Sequence, residues 1–185
     1  MTIVAVYDAN VLYPSLLRDI LVRVSVYGAV RARWTEQILD ETFRNLRANR
    51  ADLNVDAMNR TRALMNDAVR DARVTDFEYL IDELELPDPD DRHVLAAAIH
   101  TRASVIVTSN LKDFPTEDLA QYGLTAQHPD IFLTRLFDDD SVAIVDTVRR
   151  IMAANSRPRL TITDIVARLH ATDLPLLAER VHSAF

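Results

Sequence analysis

The chain lacks cysteine altogether and contains only two glycines among its 185 residues. The absence of cysteine excludes disulfides, thiolate-bound zinc, iron–sulfur clusters and a cysteine nucleophile, so any metal ion must be bound by oxygen or imidazole. The two glycines, Gly28 and Gly123, cannot form the glycine-rich turns of P-loop or dinucleotide-binding folds. Both nucleotide-binding classes are therefore excluded.

Long hydrophobic runs are also missing from the sequence. No apolar stretch approaches the length of a membrane span, and residues 1–8 reach an acid too early for a signal peptide. We therefore expect a cytoplasmic protein with no membrane contact. With 49% hydrophobic residues, the chain can bury one ordinary core and has room for a small appendage.

The formal net charge of −7 argues against a protein that binds nucleic acid over its whole surface. The charge is uneven, however, because residues 18–73 carry 11 Arg against 8 acids, whereas residues 76–140 carry 15 acids against 4 bases. This distribution is compatible with a basic surface beside an acidic centre.

The N-terminal part of the sequence predicts a buried strand followed by two helices. Residues 2–7 are apolar and rich in β-branched side chains, which is typical of a buried strand. A helix is predicted from Pro14-Ser15 to about Gly28, and a second one is predicted after Thr35 as its N-cap. Residues 51–73 predict one or two further amphipathic helices.

The rest of the chain continues the alternation of strands and helices. A helix is predicted over residues 89–100 and a second strand over residues 103–108. This order predicts an α/β fold with a parallel sheet, whose ligands would gather at the carboxyl ends of the strands. The C-terminal part predicts two helices, over residues 141–154 and 163–181.

Four acids fall where these elements begin or end, namely Asp8, Glu41, Asp91 and Asp113. Mg²⁺ prefers oxygen ligands and is held through few carboxylates, so a loose acidic cluster suits phosphodiester chemistry. Asp8 follows a buried strand, and there its carboxylate could simply accept hydrogen bonds from the backbone of the following turn. Glu41 lies at the rim of an apolar helix face, where it could serve a site or pair with an Arg, whereas Asp40 points outward.

The two later acids also allow two interpretations. Helix capping would explain Asp88 and Asp90, but Asp91 lies on the face that turns toward the core, where a carboxylate must be paired, hydrogen-bonded or metal-bound. The loop after the second strand could place Asn110 and Asp113 toward the first strand. It could equally be a turn anchored by a hydrophobic side chain.

Taken together, these positions resemble the PIN-domain ribonucleases, particularly the VapC-type toxins of toxin–antitoxin pairs. The resemblance covers roughly residues 3–133. It rests on four motifs in order: Val6-Tyr-Asp-Ala-Asn-Val-Leu12, Ile38-Leu-Asp-Glu41, Asp88-Pro-Asp-Asp-Arg-His-Val-Leu-Ala-Ala-Ala98 and Ile106-Val-Thr-Ser-Asn-Leu-Lys-Asp-Phe114. It implies a PIN-like nuclease domain over residues 1–137 and a helical extension over residues 138–185.

By the same resemblance, the chain is a metal-dependent endoribonuclease that uses one or two Mg²⁺ or Mn²⁺ ions and hydrolyses RNA. Asp8, Asp91 and Asp113 would bind metal, and Glu41 would orient the attacking water or hold a second ion. Some branches of the family have an acid at the position of Asn110, so either Asn110 or Asp113 could complete the site. The implied supporting and substrate-binding residues are Asn10 and Asn110, and Arg44, Arg47 and Lys112.

The resemblance also implies partners: an antitoxin that blocks the acidic cleft, and a second copy of the chain in a homodimer. The alternative is a PIN-like interaction module without nuclease activity. A haloacid-dehalogenase-like phosphatase would need a second Asp two residues after Asp8, where this chain has Asn10. A phospho-acceptor receiver domain would have its acids in a different order.

Overall fold

Five short parallel strands form one sheet in the computed structural model, which describes residues 2–50, 52–155 and 158–185. The strands are β1 (Ile3–Tyr7), β2 (Val30–Thr35), β3 (Arg73–Val74), β4 (Val105–Val107) and β5 (Thr125–Gln127), and their order across the sheet is β3-β2-β1-β4-β5. The chain therefore runs outward from β1 to one edge, returns, and adds β4 and β5 on the other side. The expected α/β fold with a parallel sheet is confirmed.

This order creates a switch point between β1 and β4. In sheets of this kind, connections leave the two central strands in opposite directions, so a crevice forms beyond their carboxyl ends. Tyr7 is in register with Val107 at the ends of these strands. The next residue of each strand, Asp8 and Thr108, therefore enters that crevice side by side.

Helices flank the sheet and supply most of the remaining core. In the described part of the chain, three 3₁₀ turns accompany them, at Glu78–Glu83, Pro89–Asp91 and Leu111–Asp113. The α-helices among the described residues are α1 (Ala9–Leu12), α2 (Ser15–Tyr27), α3 (Glu36–Asn49), α4 (Val55–Ala68), α5 (Arg92–His100), α6 (Thr116–Ala120), α7 (Pro129–Asp139), α8 (Ser141–Ala154), α9 (Ile162–Ala171) and α10 (Pro175–Ser183).

Two helices next to β1 fix its position in the core. Helix α5 packs against β1, β2 and β4, and α2 packs against β2. Tyr7 is fully buried, stacks on Trp34 and contacts the Ser25 hydroxyl of α2 at 3.2 Å. Asp8 is thus attached to a strand end that cannot move without disturbing the core.

Two helix ends that were predicted from capping residues are confirmed. Helix α2 ends at Gly28, which has a φ of +94° in the left-handed region that glycine tolerates. Thr35 is the N-cap of α3, and its hydroxyl accepts a hydrogen bond from the Ile38 N–H at 3.0 Å. The segment 51–73 contains one helix, α4, and residue 51 lies outside the described residues.

The prediction of a single helix over residues 163–181 is wrong. The chain forms α9 and α10 instead, separated by a turn in which Asp173 has a φ of +59°. Pro175 then takes the first turn of α10, where its missing N–H costs no hydrogen bond. The predicted helix over 89–100 is a 3₁₀ turn followed by α5.

The start of α10 is tied to α7 by one buried acid. Asp130 is only 4% exposed, and its carboxylate accepts hydrogen bonds from the N–H groups of Leu176 at 3.0 Å and Leu177 at 2.9 Å. These are free donors at a helix N-terminus, which favours negative charge. The C-terminal helices and α7 therefore share a core with a polar clamp at its edge.

Removing this clamp should destabilise the protein. We expect Asp130→Ala to lower the free energy of unfolding by about 2 kcal/mol, because one buried and one partly buried N–H donor lose their acceptor. Urea denaturation checks this, with the exposed Asp139→Ala as a control that should change little. A negligible loss in Asp130→Ala would mean that water satisfies the two donors.

No helix of the described residues has both the length and the apolar character that a membrane span requires.

Candidate functional site

An acidic cleft of about 770 Å³ opens at the carboxyl ends of β1 and β4. Its other walls come from α3 and from the segment that leads into α5. Among its lining residues that the structure describes, Arg44 is the one Arg or Lys. The six lining carboxylates are Asp8, Asp40, Glu41, Asp88, Asp90 and Asp91. The cleft therefore concentrates negative charge and would attract cations.

Asp8 lies at the floor of this cleft and is held by three donors. One carboxylate oxygen accepts from the Ala9 N–H at 2.7 Å, and the other accepts from the Thr108 hydroxyl at 2.7 Å and the Asn10 amide at 2.5 Å. The hydrogen bond from the backbone of the following turn, which was one of the two interpretations of Asp8, is therefore present. Burial raises the pKa of Asp8, and these hydrogen bonds lower it.

Thr108 organises this floor and was missed by the sequence analysis. Its buried hydroxyl contacts Asp8, and it accepts from the Asn10 side chain at 3.0 Å and from the Asn110 N–H at 3.0 Å. Asn10 also accepts from the Ser109 N–H at 2.9 Å. The signal was available, because pairing of the two predicted strands in parallel places residue 108 beside residue 8.

Three carboxylates form a tighter group, of which Asp88 and Asp91 line the cleft and Asp113 lies outside its lining residues. One oxygen each from Asp88, Asp91 and Asp113 lies within 4.8 Å of the others. Asp88 also caps the 3₁₀ turn through the Asp90 N–H at 2.9 Å, so the predicted capping role is present. Its place beside Asp91 and Asp113 was not predicted. Asp113 accepts a hydrogen bond from the Asn110 side chain.

Crowding of these acids changes how Asp91 ionises. Burial and the neighbouring charges, led by Asp8 and followed by Asp88, Asp113 and Glu41, raise the pKa of Asp91 to about 7. Both causes disfavour the charged form of Asp91, and a nearby cation would stabilise that form. Strong perturbation within a cleft is typical of functional sites.

Glu41 faces the cleft from α3, opposite α5. Burial is the main reason that its pKa is raised, and the charge of Asp8 adds to it, whereas Arg44 lowers it. The His93 Nε2 atom lies 3.9 Å from a carboxylate oxygen of Glu41. Burial lowers the pKa of His93 to about 4, so this imidazole is neutral near pH 7.

Of the three basic residues predicted to bind substrate, one lines the cleft and two do not, and Asp40 also lines it. Asp40 is exposed as expected, but it also lines the cleft and pairs with Arg62 at 2.5 Å. Arg44 lines the cleft as well. Arg47 and Lys112 are exposed and lie outside the set of described residues that line it.

A second groove of about 690 Å³ lies between α2, α4 and α8 and is more apolar. Two of its arginines are already paired, Arg23 with Asp19 and Arg150 with Asp146. The carboxylates that line the acidic cleft lie at the switch point of the sheet instead.

The residues of the acidic cleft fit a hard divalent cation. Every donor of the three-carboxylate group is an oxygen, which is the ligand that Mg²⁺ and Mn²⁺ prefer. Burial first, and then the neighbouring carboxylates, raise the pKa of Asp91. A cation of charge two would relieve this repulsion.

Two known family models match two successive parts of the chain. The model of the PIN domain family matches residues 4–112, and a second model, the VapC50 C-terminal domain, matches residues 129–183. The first match covers more than half of the chain and includes all six carboxylates that line the cleft, whereas Asp113 lies one residue beyond it. No solved structure matches the chain significantly.

One relative is similar over a short segment. A Mycobacterium tuberculosis protein, named as a candidate ribonuclease, VapC50, is 58% identical over 48 residues. The match covers 26% of this chain and 28% of that relative, so the chain aligns with less than a third of the relative's length.

Proposed function

The chain belongs to the PIN-domain family, and from this we propose that it is a Mg²⁺- or Mn²⁺-dependent endoribonuclease, the toxin of a type II toxin–antitoxin system. The observation that carries the proposal is the convergence of Asp8, Glu41, Asp91 and Asp113 at the switch point of the sheet. The similarity to a candidate ribonuclease supports RNA as the substrate.

We assign the metal to the carboxylates that lie closest together. Asp91 and Asp113 would hold one ion, Asp88 would share it, and Asp8 would face it from the floor of the cleft. When bound, Mg²⁺ or Mn²⁺ supplies positive charge that polarises the phosphodiester and favours the ionisation of water. Whether a second ion binds depends on Glu41.

The protein's own groups would then position the reactants. Thr108 and Asn10 hold the Asp8 carboxylate in one orientation, so its charge is fixed before substrate arrives. Glu41, on the opposite wall, would orient the attacking water or hold a second ion. Its raised pKa makes it a better proton acceptor than an ordinary glutamate.

Asp113, rather than Asn110, is our choice to complete the site. A carboxylate oxygen of Asp113 belongs to the three-carboxylate group, whereas the Asn110 side-chain nitrogen donates a hydrogen bond to Asp113. Asn110 would therefore orient Asp113. This arrangement makes the asparagine a support and the aspartate a ligand.

RNA would reach the cleft across α3. Arg44 lines the cleft among six carboxylates, so it is the first candidate for a phosphate contact. Arg47 and Lys112 lie outside the lining residues that the structure describes, and we propose them as contacts for more distant phosphates. Single-stranded or looped RNA is the expected target because its bases are accessible.

The role of Asp88 can be tested against its neighbour. We expect Asp88→Asn to weaken Mn²⁺ binding by about 10- to 100-fold, the range seen when a group that supports a metal site is removed. Asparagine is also a good N-cap, so the turn should survive. Isothermal titration calorimetry measures the dissociation constant.

Asp90→Asn is the matched control for this substitution. It removes the same charge from the same turn and the same cleft, but Asp90 is outside the three-carboxylate group. Equal losses in both variants would show that only the overall charge of the cleft matters.

The proposed activity is tested by cleavage of a panel of structured RNAs. We expect purified protein to cut RNA with Mg²⁺ or Mn²⁺, to stop when EDTA is added, and to recover when Mn²⁺ is restored. A folded protein that binds Mn²⁺ and cuts nothing would support the alternative, a PIN-like interaction module without catalysis.

We further propose three properties that belong to the toxin role. These are a cytoplasmic location, a homodimer, and an antitoxin whose peptide covers the acidic cleft. The negative charge of the cleft favours a basic peptide. A neighbouring gene for a small DNA-binding protein whose product inhibits RNA cleavage would support the toxin role over a housekeeping ribonuclease.

The division into a nuclease domain of residues 1–137 and an extension of residues 138–185 also stays a proposal. Helix α7 spans this boundary and packs against both α8 and α10. The extension therefore shares a core with the nuclease domain.

A further inference from the structure

One buried histidine faces the catalytic cleft and has no role in the function proposed above. His93 lies in the first turn of α5, and its side chain is only 4% exposed, yet it contributes to the lining of the cleft. Across the cleft is Glu41 on α3. Polar side chains buried to this degree usually have hydrogen-bond partners.

The two ring nitrogens have different surroundings. Nε2 lies 3.9 Å from a carboxylate oxygen of Glu41. Nδ1 is buried and has no hydrogen-bond partner among the described residues. A proton is therefore best placed on Nε2, where an acceptor is near, because a buried donor without a partner loses its hydration for no gain. In the charged imidazolium both nitrogens carry a proton, so Nε2 is a donor whether the ring is neutral or charged.

We propose that His93 is a positioning residue that directs the Glu41 carboxylate into the cleft. At 3.9 Å, Nε2 is beyond direct hydrogen-bond distance, so contact is made through a bridging water or by a small closure of α3 on α5. In either case the rigid ring limits the orientations of a glutamate that is otherwise exposed on one side. The inference rests on the proposed function, because it concerns the group that would orient water or hold a second ion.

A purely structural role makes a different prediction. If His93 only fills space in the core beside Glu41, an aromatic ring of similar size should replace it well. If the Nε2–H donor is what matters, a side chain with a donor at that position should work, whatever its shape. Glutamine places its amide nitrogen near the Nε2 position, asparagine places its own near Nδ1, and phenylalanine has no donor.

These three substitutions form the test. For each variant, calorimetry gives the Mn²⁺ dissociation constant, RNA cleavage at saturating Mn²⁺ gives kcat, and thermal unfolding shows whether the fold is intact. We expect the kcat of His93→Gln to stay within about threefold of wild type. The kcat of His93→Asn and of His93→Phe should fall by about 10- to 100-fold, as for other groups that orient a metal-site ligand.

A double-substitution cycle tests whether the effect passes through Glu41. In the Glu41→Gln background, His93→Phe should cause no further loss of kcat, because the carboxylate that His93 orients is gone. Additive losses would overturn the proposal, and so would a His93→Phe variant at least as active as His93→Gln. If His93→Phe unfolds, the comparison between His93→Gln and His93→Asn decides in the same way.

Failure of this inference can be distinguished from failure of the proposed function. If wild-type protein binds Mn²⁺ and cuts RNA, and all three His93 variants have the same kcat, only the role of His93 is overturned. Wild-type protein that neither binds Mn²⁺ nor cuts RNA overturns both.

Discussion

Replacing Asp91 by asparagine should reduce metal-dependent RNA cleavage by about 10³-fold, the upper end of the loss that follows removal of one charge-stabilising group from an active site. Asp91 belongs to the three-carboxylate group, lines the acidic cleft, and has a pKa of about 7 because of burial and four neighbouring acids. Asparagine has nearly the same shape but lacks the negative charge. The measurement is the initial rate of cleavage at saturating Mn²⁺.

A matched control separates loss of chemistry from loss of structure. Asp67→Asn makes the same chemical change on the exposed face of α4, and we expect wild-type activity from it. Asp91→Asn should remain folded, since Asp91 makes no side-chain capping bond to α5. Wild-type cleavage by folded Asp91→Asn would mean that the three-carboxylate group is not the catalytic centre.

Much of the acidic site could be predicted because its residues follow recognisable elements. Asp8 comes directly after an apolar run, and Asp91 lies on an inward face at the start of α5. Whether these residues catalyse a reaction stays a prediction that the experiments above address. Thr108 and His93 were not singled out, because a threonine at a strand end and a histidine on an apolar helix face give no signal of their own.

Their significance comes from contacts between distant parts of the chain. Thr108 meets Asp8 across 100 residues of sequence, and this contact requires β1 and β4 to be neighbours in parallel. His93 meets Glu41 only because α3 and α5 face the same cleft. Local patterns cannot supply such pairings, so the supporting residues of a site are harder to predict than its carboxylates.

The same limit explains which elements of the fold were missed. In strand β2, exposed and buried side chains do alternate, since Arg31 and Arg33 are more exposed than Ala32 and Trp34. The two charged residues nevertheless prevent the segment from standing out as an apolar run. Strands β3 and β5 have two and three residues, which is too short for a period of two to be visible. Short strands of this kind form because a neighbouring strand offers them hydrogen bonds, so the sequence alone does not identify them.

Without metal, the protein should become less stable as the pH rises toward neutrality. An acid whose pKa is raised by folding binds more protons in the folded than in the unfolded chain between the two pKa values. For Asp91 these values are 3.8 and about 7, and burial raises the pKa of Asp8 and Glu41 as well. The free energy of unfolding therefore falls across this window, by about 1–2 kcal/mol for half-buried Asp91 after allowance for solvent screening.

A divalent cation should reverse this trend. Because the ion binds the ionised carboxylates of the folded protein, Mn²⁺ at 100 times its dissociation constant should add about 3 kcal/mol to the free energy of unfolding. The gain should be larger at about pH 8 than at about pH 5, since at the lower pH protons compete for the same oxygens. Thermal unfolding in EDTA and in Mn²⁺ at both pH values gives the four melting temperatures needed.

Asp91→Asn turns this linkage into a test of the site itself. The amide cannot ionise, so in EDTA at about pH 8 the variant should be more stable than wild type, and its stability should depend less on pH. In Mn²⁺ the order should invert, because wild type gains the ion and the variant binds it poorly. A carboxylate that weakens the empty fold and strengthens the metal-bound one is held for function rather than for folding. A variant less stable than wild type in both conditions would show instead that Asp91 serves the fold.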